Sequence, residues 1–151
     1  MNELVLILYN IRSRFNVGAI FRTADAAGVN KIYLCGITPA PPHPKIDKVA
    51  LGAEQFILFK KTKQTKPILQ KLRADCYTII ALEQSKTSIA YNTLKPQFPL
   101  ALLVGNEVSG IPKRLLNECN QTVEIPMRGQ KESLNVAVAL GIVIFDIIQQ
   151  K

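Results

Sequence analysis

Apolar and polar positions alternate along the chain in blocks that predict strands and helices in turn. Leu4 to Tyr9 is a short apolar run with the length of a buried strand. Asn10 to Phe15 is polar and basic, and Asn16 can cap a helix carrying Val17, Ile20, Phe21 and Ala24 at helical spacing, ended by Gly28. Lys31 to Cys35 reads as a second strand. Thr38 to Pro44 holds four prolines and reads as an irregular loop. A helical turn near Lys48 to Ala53 leads to a strand at Phe56 to Phe59. Pro67 suits the first turn of a helix reaching Ala74. Tyr77 to Leu82 and Leu100 to Val104 are strongly apolar strands, separated by a loop bracketed by Pro96 and Pro99. Pro112 opens a short helix to Asn117, Val123 to Ile125 is a last short strand, and Ser133 caps a final helix to Gln149. Near-continuous apolar strands alternating with helices predict an α/β fold, a mostly parallel sheet with helices on both faces. With no repeat or linker in the pattern, residues 1–151 read as one domain.

The last helix changes this picture. Val136, Val138, Leu140, Ile142, Val143, Ile144, Phe145, Ile147 and Ile148 cover nearly its whole circumference. A helix apolar all round is buried all round, which in a chain of 151 residues favours a homodimer over a central core helix in a monomer. Val136 to Ile148 is only 13 residues and contains Asp146. No stretch is long enough to cross a bilayer, and Met1-Asn2-Glu3 lacks the basic start of a signal peptide, so no membrane partner and a cytoplasmic location are expected.

Composition narrows the chemistry. Cys35, Cys76 and Cys119 are odd in number and widely spaced, which argues for free thiols and against a disulfide framework or a zinc site. His43 is the only histidine, so neither a metal site nor a Ser-His-Asp triad is expected. Nineteen Lys and Arg stand against eleven Asp and Glu, a net charge of +8. That balance fits a polyanion partner, though a merely basic protein would show it too. Basic clusters lie at Lys60-Lys61-Thr62-Lys63, at Lys113-Arg114 and around Arg128 and Lys131, with Arg12 and Arg14 beside the first glycine-containing segment. No aromatic residues interleave with them, which favours backbone recognition of folded RNA over single-strand stacking.

Three polar, glycine-containing segments follow strands, where open parallel sheets bind ligands. No GxGxxG follows the first strand. In Asn16 to Ala24, Arg22 lies off the apolar stripe; it can lean back toward Asn16 and fork onto a phosphate, or pair with Asp25. In Leu103 to Pro112, Gly105 and Gly110 allow close backbone approach to a ligand while Asn106 and Glu107 project from the strand end; a plain helix entry at Pro112 is the other reading. In Ile125 to Asn135 a basic glycine loop enters a buried helix, either as an anion-binding helix start or as simple capping by Ser133.

Taken as a set, "NVGAIFRTADAAGV", "LLVGNEVSGIP" and "EIPMRGQKESLNVAVA" resemble the three ordered motifs of the SpoU/TrmH branch of the SPOUT methyltransferases, and the resemblance extends over essentially the whole chain. It implies a deep C-terminal trefoil knot, a homodimer, and S-adenosylmethionine as methyl donor, leaving S-adenosylhomocysteine after transfer to an RNA ribose 2′-hydroxyl. Carried onto this sequence, it implies Leu103, Val104, Gly105, Asn106, Ile125, Met127, Ser133 and Leu134 as cofactor contacts. Asn16, Arg22, Glu107, Ser133 and Asn135 take the catalytic positions. Arg12, Arg14, Arg22, Arg128 and Lys131 are the expected RNA contacts. Arginine holds its proton, so Arg22 would stabilise the forming alkoxide, with a phosphate or Glu107 accepting the proton. "YTIIALEQSKTSIAYNTL" looks more like relatives that methylate a tRNA D-loop guanosine than ribosomal ones, so tRNA is favoured over rRNA. On this reading the N-terminal RNA-binding extension of many relatives is expected to be absent, and the chain's own basic surface would grip the substrate. A non-catalytic RNA-binding or assembly protein, a SPOUT base methyltransferase and, more distantly, a small-molecule methyltransferase are the alternatives.

Overall fold

The computed structural model describes residues 2–151. Its strands are β1 (Leu4–Tyr9), β2 (Lys31–Cys35), β3 (Leu58–Thr62), β4 (Thr78–Leu82), β5 (Ile89–Ala90), β6 (Leu100–Val104) and β7 (Gln121–Glu124). The α-helices are α1 (Arg14–Ala27), α2 (Pro44–Ala50), α3 (Lys66–Ala74), α4 (Lys113–Leu116) and α5 (Val136–Gln149). All seven strands join one sheet in the order β3-β2-β1-β6-β4-β7-β5, and every pairing is parallel.

Side-chain alternation divides the core in two. Leu4, Leu6 and Leu8 face one layer with Ile20 and Phe21 of α1, Ile46 of α2 and Leu140, Val143 and Ile144 of α5. Val5 and Ile7 face the other, with Leu69 and Leu72 of α3 and Leu115 of α4. β1, β6 and β4 are buried on both faces, which is why they read as continuous apolar runs. Leu8, Val104, Leu82 and Val123 stand in one row across β1, β6, β4 and β7. The four loops that follow therefore leave the sheet at one level of its C-terminal edge.

Several boundaries differ from the sequence reading, each for a local reason. Ser13 caps α1 by accepting from the Asn16 backbone N–H (3.1 Å). Asn16 therefore sits inside the first turn and is 5% exposed. α2 begins at Pro44, the last of the four prolines, with the His43 ring nitrogen accepting from the Lys45 N–H at 3.1 Å. Pro44 has no N–H to lose and a φ already suited to a helix start. β3 is displaced to Leu58–Thr62 because it is an edge strand, where lysines face solvent. β7 lies nearer Gln121, and β5 is only two residues long.

Nor is α5 buried all round. Ala137, Leu140, Val143, Ile144 and Ile147 are buried, but Val138, Ile142 and Phe145 are 53%, 38% and 39% exposed. Their i, i+4, i+7 spacing makes them one apolar stripe facing away from the sheet. The three cysteines are free, and burial pushes the thiol of Cys35 up to about 11 and that of Cys119 up to about 12.

Candidate active site

The loop after β6 is held by its own glycines. Gly110 has φ +69°, and a Cβ built there would lie 2.1 Å from a carboxylate oxygen of Glu83; a Cβ on Gly105 would lie 2.7 Å from the Gly110 carbonyl oxygen. These glycines therefore admit the loop's own backbone and the Glu83 side chain, and both also line the cleft that opens at this edge. The Asn106 side-chain oxygen accepts from the Val108 and Ser109 N–H groups at 2.9 Å, and its amide donates to the Asn10 carbonyl at 2.7 Å. Asn106 thus folds the tight turn and ties it to the loop after β1.

Glu107 projects from that turn onto the start of α1. Its carboxylate accepts from the backbone N–H of Arg12 (3.0 Å) and Ser13 (3.0 Å) and from the side-chain amide of Asn16 (3.1 Å). Partial burial works against the charged form. The hydrogen bonds from Arg12, Ser13, its own backbone and Asn16 outweigh it and hold the carboxyl below the usual glutamate range. The oxygen of Asn16 then accepts from the amide of Asn135 at 3.0 Å, and the oxygen of Asn135 caps α5 by accepting from Ala137 N–H (2.8 Å) and Val138 N–H (3.3 Å). Asn135, not Ser133, is the cap. Glu107, Asn16 and Asn135 form one relay joining all three motifs.

A cleft of about 980 Å³ opens at this edge. Val104, Gly105, Asn106, Ile125, Met127, Ser133 and Leu134 line it, together with Glu107. Leu103 does not: it is fully buried in the layer under α3 and α4. Arg22 does not line it either. Six residues beyond Asn16, it points about 120° away around α1, is exposed, and makes no ion pair with Asp25 or any other acid among the described residues. Arg12, Arg14, Arg128 and Lys131 are exposed. Arg12 joins the site only through its backbone N–H to Glu107.

Two participants were missed by sequence reasoning. Glu83, just past β4, accepts from the Ile111 N–H (2.7 Å) and the Gln84 N–H (2.9 Å), and Gln84 donates to the Glu132 carbonyl (2.7 Å). This pair braces the loop after β6 against the loop after β7, and both residues line the cleft. An acid directly after an apolar strand was the available signal.

The cleft fits a nucleoside that carries positive charge. Val104, Ile125, Met127 and Leu134 offer apolar walls beside glycine backbone, while Glu83, Glu107, Glu124 and Glu132 outnumber Lys86 and Lys113 around the opening. Among the described residues, no group of three or more His, Cys, Asp and Glu could hold a metal ion.

A model of the SpoU rRNA Methylase family matches residues 3–145. The tRNA (guanosine(18)-2′-O)-methyltransferase of Aquifex aeolicus is 29% identical over 150 residues, covering 99% of this chain and 70% of that protein. The 23S rRNA (guanosine-2′-O-)-methyltransferase of Haemophilus ducreyi is 34% identical over 151 residues, covering 99% of this chain and 61% of that protein. The crystal structure of an AdoMet-bound rRNA methyltransferase from Sinorhizobium meliloti superposes with a TM-score of 0.92 at 32% identity, over 97% of this chain and 56% of the other. The chain thus spans between 56% and 70% of the length of these relatives. With its three motifs locked together at one sheet edge and the family pattern running from residue 3 to residue 145, the chain belongs to the SpoU rRNA Methylase family.

Proposed function

We propose that this chain transfers the methyl group of S-adenosylmethionine to a ribose 2′-hydroxyl of RNA. The observation that carries the reading is the convergence of the three motifs on one cleft through the Glu107–Asn16–Asn135 relay. When bound, S-adenosylmethionine supplies an electrophilic methyl on a sulfonium leaving group. Val104, Ile125, Met127 and Leu134 would hold its adenosine, and Gly105 and Asn106 would meet it with backbone. Ser133, exposed on the rim, would contact the cofactor or the incoming ribose.

Glu107 is suited to anchoring rather than to taking the proton. Its oxygens already accept three hydrogen bonds from Arg12, Ser13 and Asn16, and its carboxyl titrates below the ordinary range. With the Glu107 oxygens occupied, the acceptor is a phosphate oxygen of the RNA, placed by Arg22, which also stabilises the forming alkoxide. Arg22 stands outside the cleft lining with no acidic partner among the described residues, so its guanidinium is open to an RNA strand lying across α1. Arg12, Arg14, Arg128 and Lys131 would contact the same strand.

The exposed Val138, Ile142 and Phe145 stripe supports a homodimer in which a second copy covers α5. The return of the chain from β7, beyond β4, to lay α5 against α1 supports the knotted path. Residues 1–151 act as one methyltransferase domain around one sheet, with cytoplasmic RNA as substrate. Among the described residues no helix is long and apolar enough to cross a membrane. Similarity to both tRNA and 23S rRNA enzymes makes RNA the substrate class, and we favour tRNA on the "YTIIALEQSKTSIAYNTL" stretch.

The test is transfer of labelled methyl from S-adenosylmethionine to unmodified tRNA and, separately, to an rRNA transcript, by the native chain and by Arg22→Ala. Transfer that resists alkaline cleavage at the modified site and disappears in Arg22→Ala is expected. Cofactor binding without transfer to either RNA would instead favour a non-catalytic RNA-binding role, and alkali-sensitive product a base methyltransferase.

A further inference from the structure

A second cleft, of about 320 Å³, lies on the same sheet edge beyond the loop after β1. It brings together two basic clusters that are far apart in sequence, the lysine run of β3 and the Lys113-Arg114 pair of α4. Lys63, Lys66 and Arg114 line it, along with Asn10 and Gly36 and the N-terminus of α3, and no Asp or Glu does. Lys63 and Arg114 form no ion pair among the described residues. Lys66 has a loose one, 3.7 Å from Glu118, whose carboxylate is held more closely by Arg73 at 3.1 Å. Thr65 occupies the N-cap of α3 but makes no side-chain capping bond, and Pro67 has no N–H to give. The positive end of that helix is thus left without a side-chain acceptor, next to three cations.

Position decides what such a cleft would hold. It adjoins the methyltransferase cleft. Asn10 lines the smaller cleft, and its carbonyl accepts from Asn106, which lines the larger. Lys113 of α4 lines the larger cleft and its neighbour Arg114 the smaller. A polyanion strand entering one cleft would meet the other next along the same edge. The larger is rich in carboxylates and the smaller has none in its lining, so the phosphates of a strand beyond the reacting nucleotide would settle in the second cleft rather than crowd the first.

We propose that the smaller cleft is a phosphate subsite for substrate RNA, taking a backbone phosphodiester of the strand whose ribose is presented to the larger cleft. Lys63 and Arg114 supply the charge, and the start of α3 adds the positive end of its dipole. The subsite rests on the RNA methyltransferase reading. It fixes where the strand continues, contributing to affinity and register and carrying no base specificity.

The experiment compares the native chain with Lys63→Ala/Arg114→Ala. Equilibrium binding of transcribed tRNA and of rRNA transcript is followed by fluorescence anisotropy over a range of salt, and S-adenosylmethionine affinity by calorimetry. The expected result is RNA binding weakened about tenfold at low salt, with the slope of log affinity against log salt reduced by about one to two, and cofactor affinity unchanged. Unchanged RNA affinity and slope would overturn the subsite, whatever the cleft does with inorganic phosphate. So would RNA loss that only tracks a loss of cofactor affinity. Binding is read without turnover, so a native chain that binds RNA yet transfers no methyl counts against the methyltransferase reading and leaves the subsite to be judged by the slope.

Discussion

The side-chain amides of Asn16 and Asn135, 119 residues apart in sequence, meet at 3.0 Å at the point where α1 and α5 begin. Each has a second duty, Asn16 to the Glu107 carboxylate and Asn135 to the first N–H groups of α5. Removing one therefore strands partners of the other. Asn135→Ala should lose the cap and leave the oxygen of Asn16, a residue only 5% exposed, without its donor. The expected cost is about 2 kcal/mol in urea denaturation. Asn16→Ala/Asn135→Ala should cost less than the sum of the single changes.

Acidification should release the same relay from its other end. The Glu107 carboxyl titrates below its ordinary range in the folded chain. Its contribution to stability is therefore complete above the ordinary glutamate range and lost as pH falls through the folded value. Glu107→Gln should lower the melting temperature most near neutral pH, and the gap to the native chain should close below about pH 4. A gap that stays constant with pH would count against a charged anchor.

Glu83 should behave as a positioning residue for the cofactor. Gly110→Ala would force a Cβ to 2.1 Å from the Glu83 carboxylate at φ +69°, and Glu83→Ala would free the Ile111 N–H. Both should raise the KM for S-adenosylmethionine by about tenfold with little change in kcat. Glu83→Gln should recover part of the loss by keeping one acceptor oxygen. Equal falls in kcat for all three would point to general unfolding instead.

Covering of α5 is testable by charge. Ile142→Asp places a carboxylate in the middle of the Val138, Ile142 and Phe145 stripe, where the side chain is partly exposed in the single chain. Light scattering should show the native chain as a dimer and Ile142→Asp as a folded monomer. A native chain that is already monomeric would remove the homodimer from the proposed function.

Much of this architecture could be read from the residues alone. β1, β4 and β6 are continuous apolar runs because they are buried on both faces. β3 was misplaced because an edge strand needs no such run, and the polar Lys60 and Lys61 lie where β pairing requires only backbone. Motif residues were legible, but their duties were not. Ser133 and Asn16 both carry capping side chains, and sequence cannot say that Ser13 and Asn135 take those places. Gly105 and Gly110 could be read as making room for something; only the fold shows that the room is taken by Gly110 itself and by Glu83. Strand alternation turns the Leu103 side chain into the α3 and α4 layer, which leaves its backbone as the part the resemblance assigns to the cofactor.

The long span of the Asn16–Asn135 contact also bears on when activity can arise. Helix starts and hairpins form from near neighbours, whereas this relay needs the first and last motifs at once, and such high-separation contacts form slowly. As the chain leaves the ribosome from its N-terminus, β1 and α1 emerge long before Asn135 is synthesised. A nascent chain lacking its last residues has strands to pair but no cap for α5 and no fixed seat for the Asn16 amide. Cofactor competence should therefore appear late and abruptly in synthesis, making methyl-donor binding a reporter of completed folding.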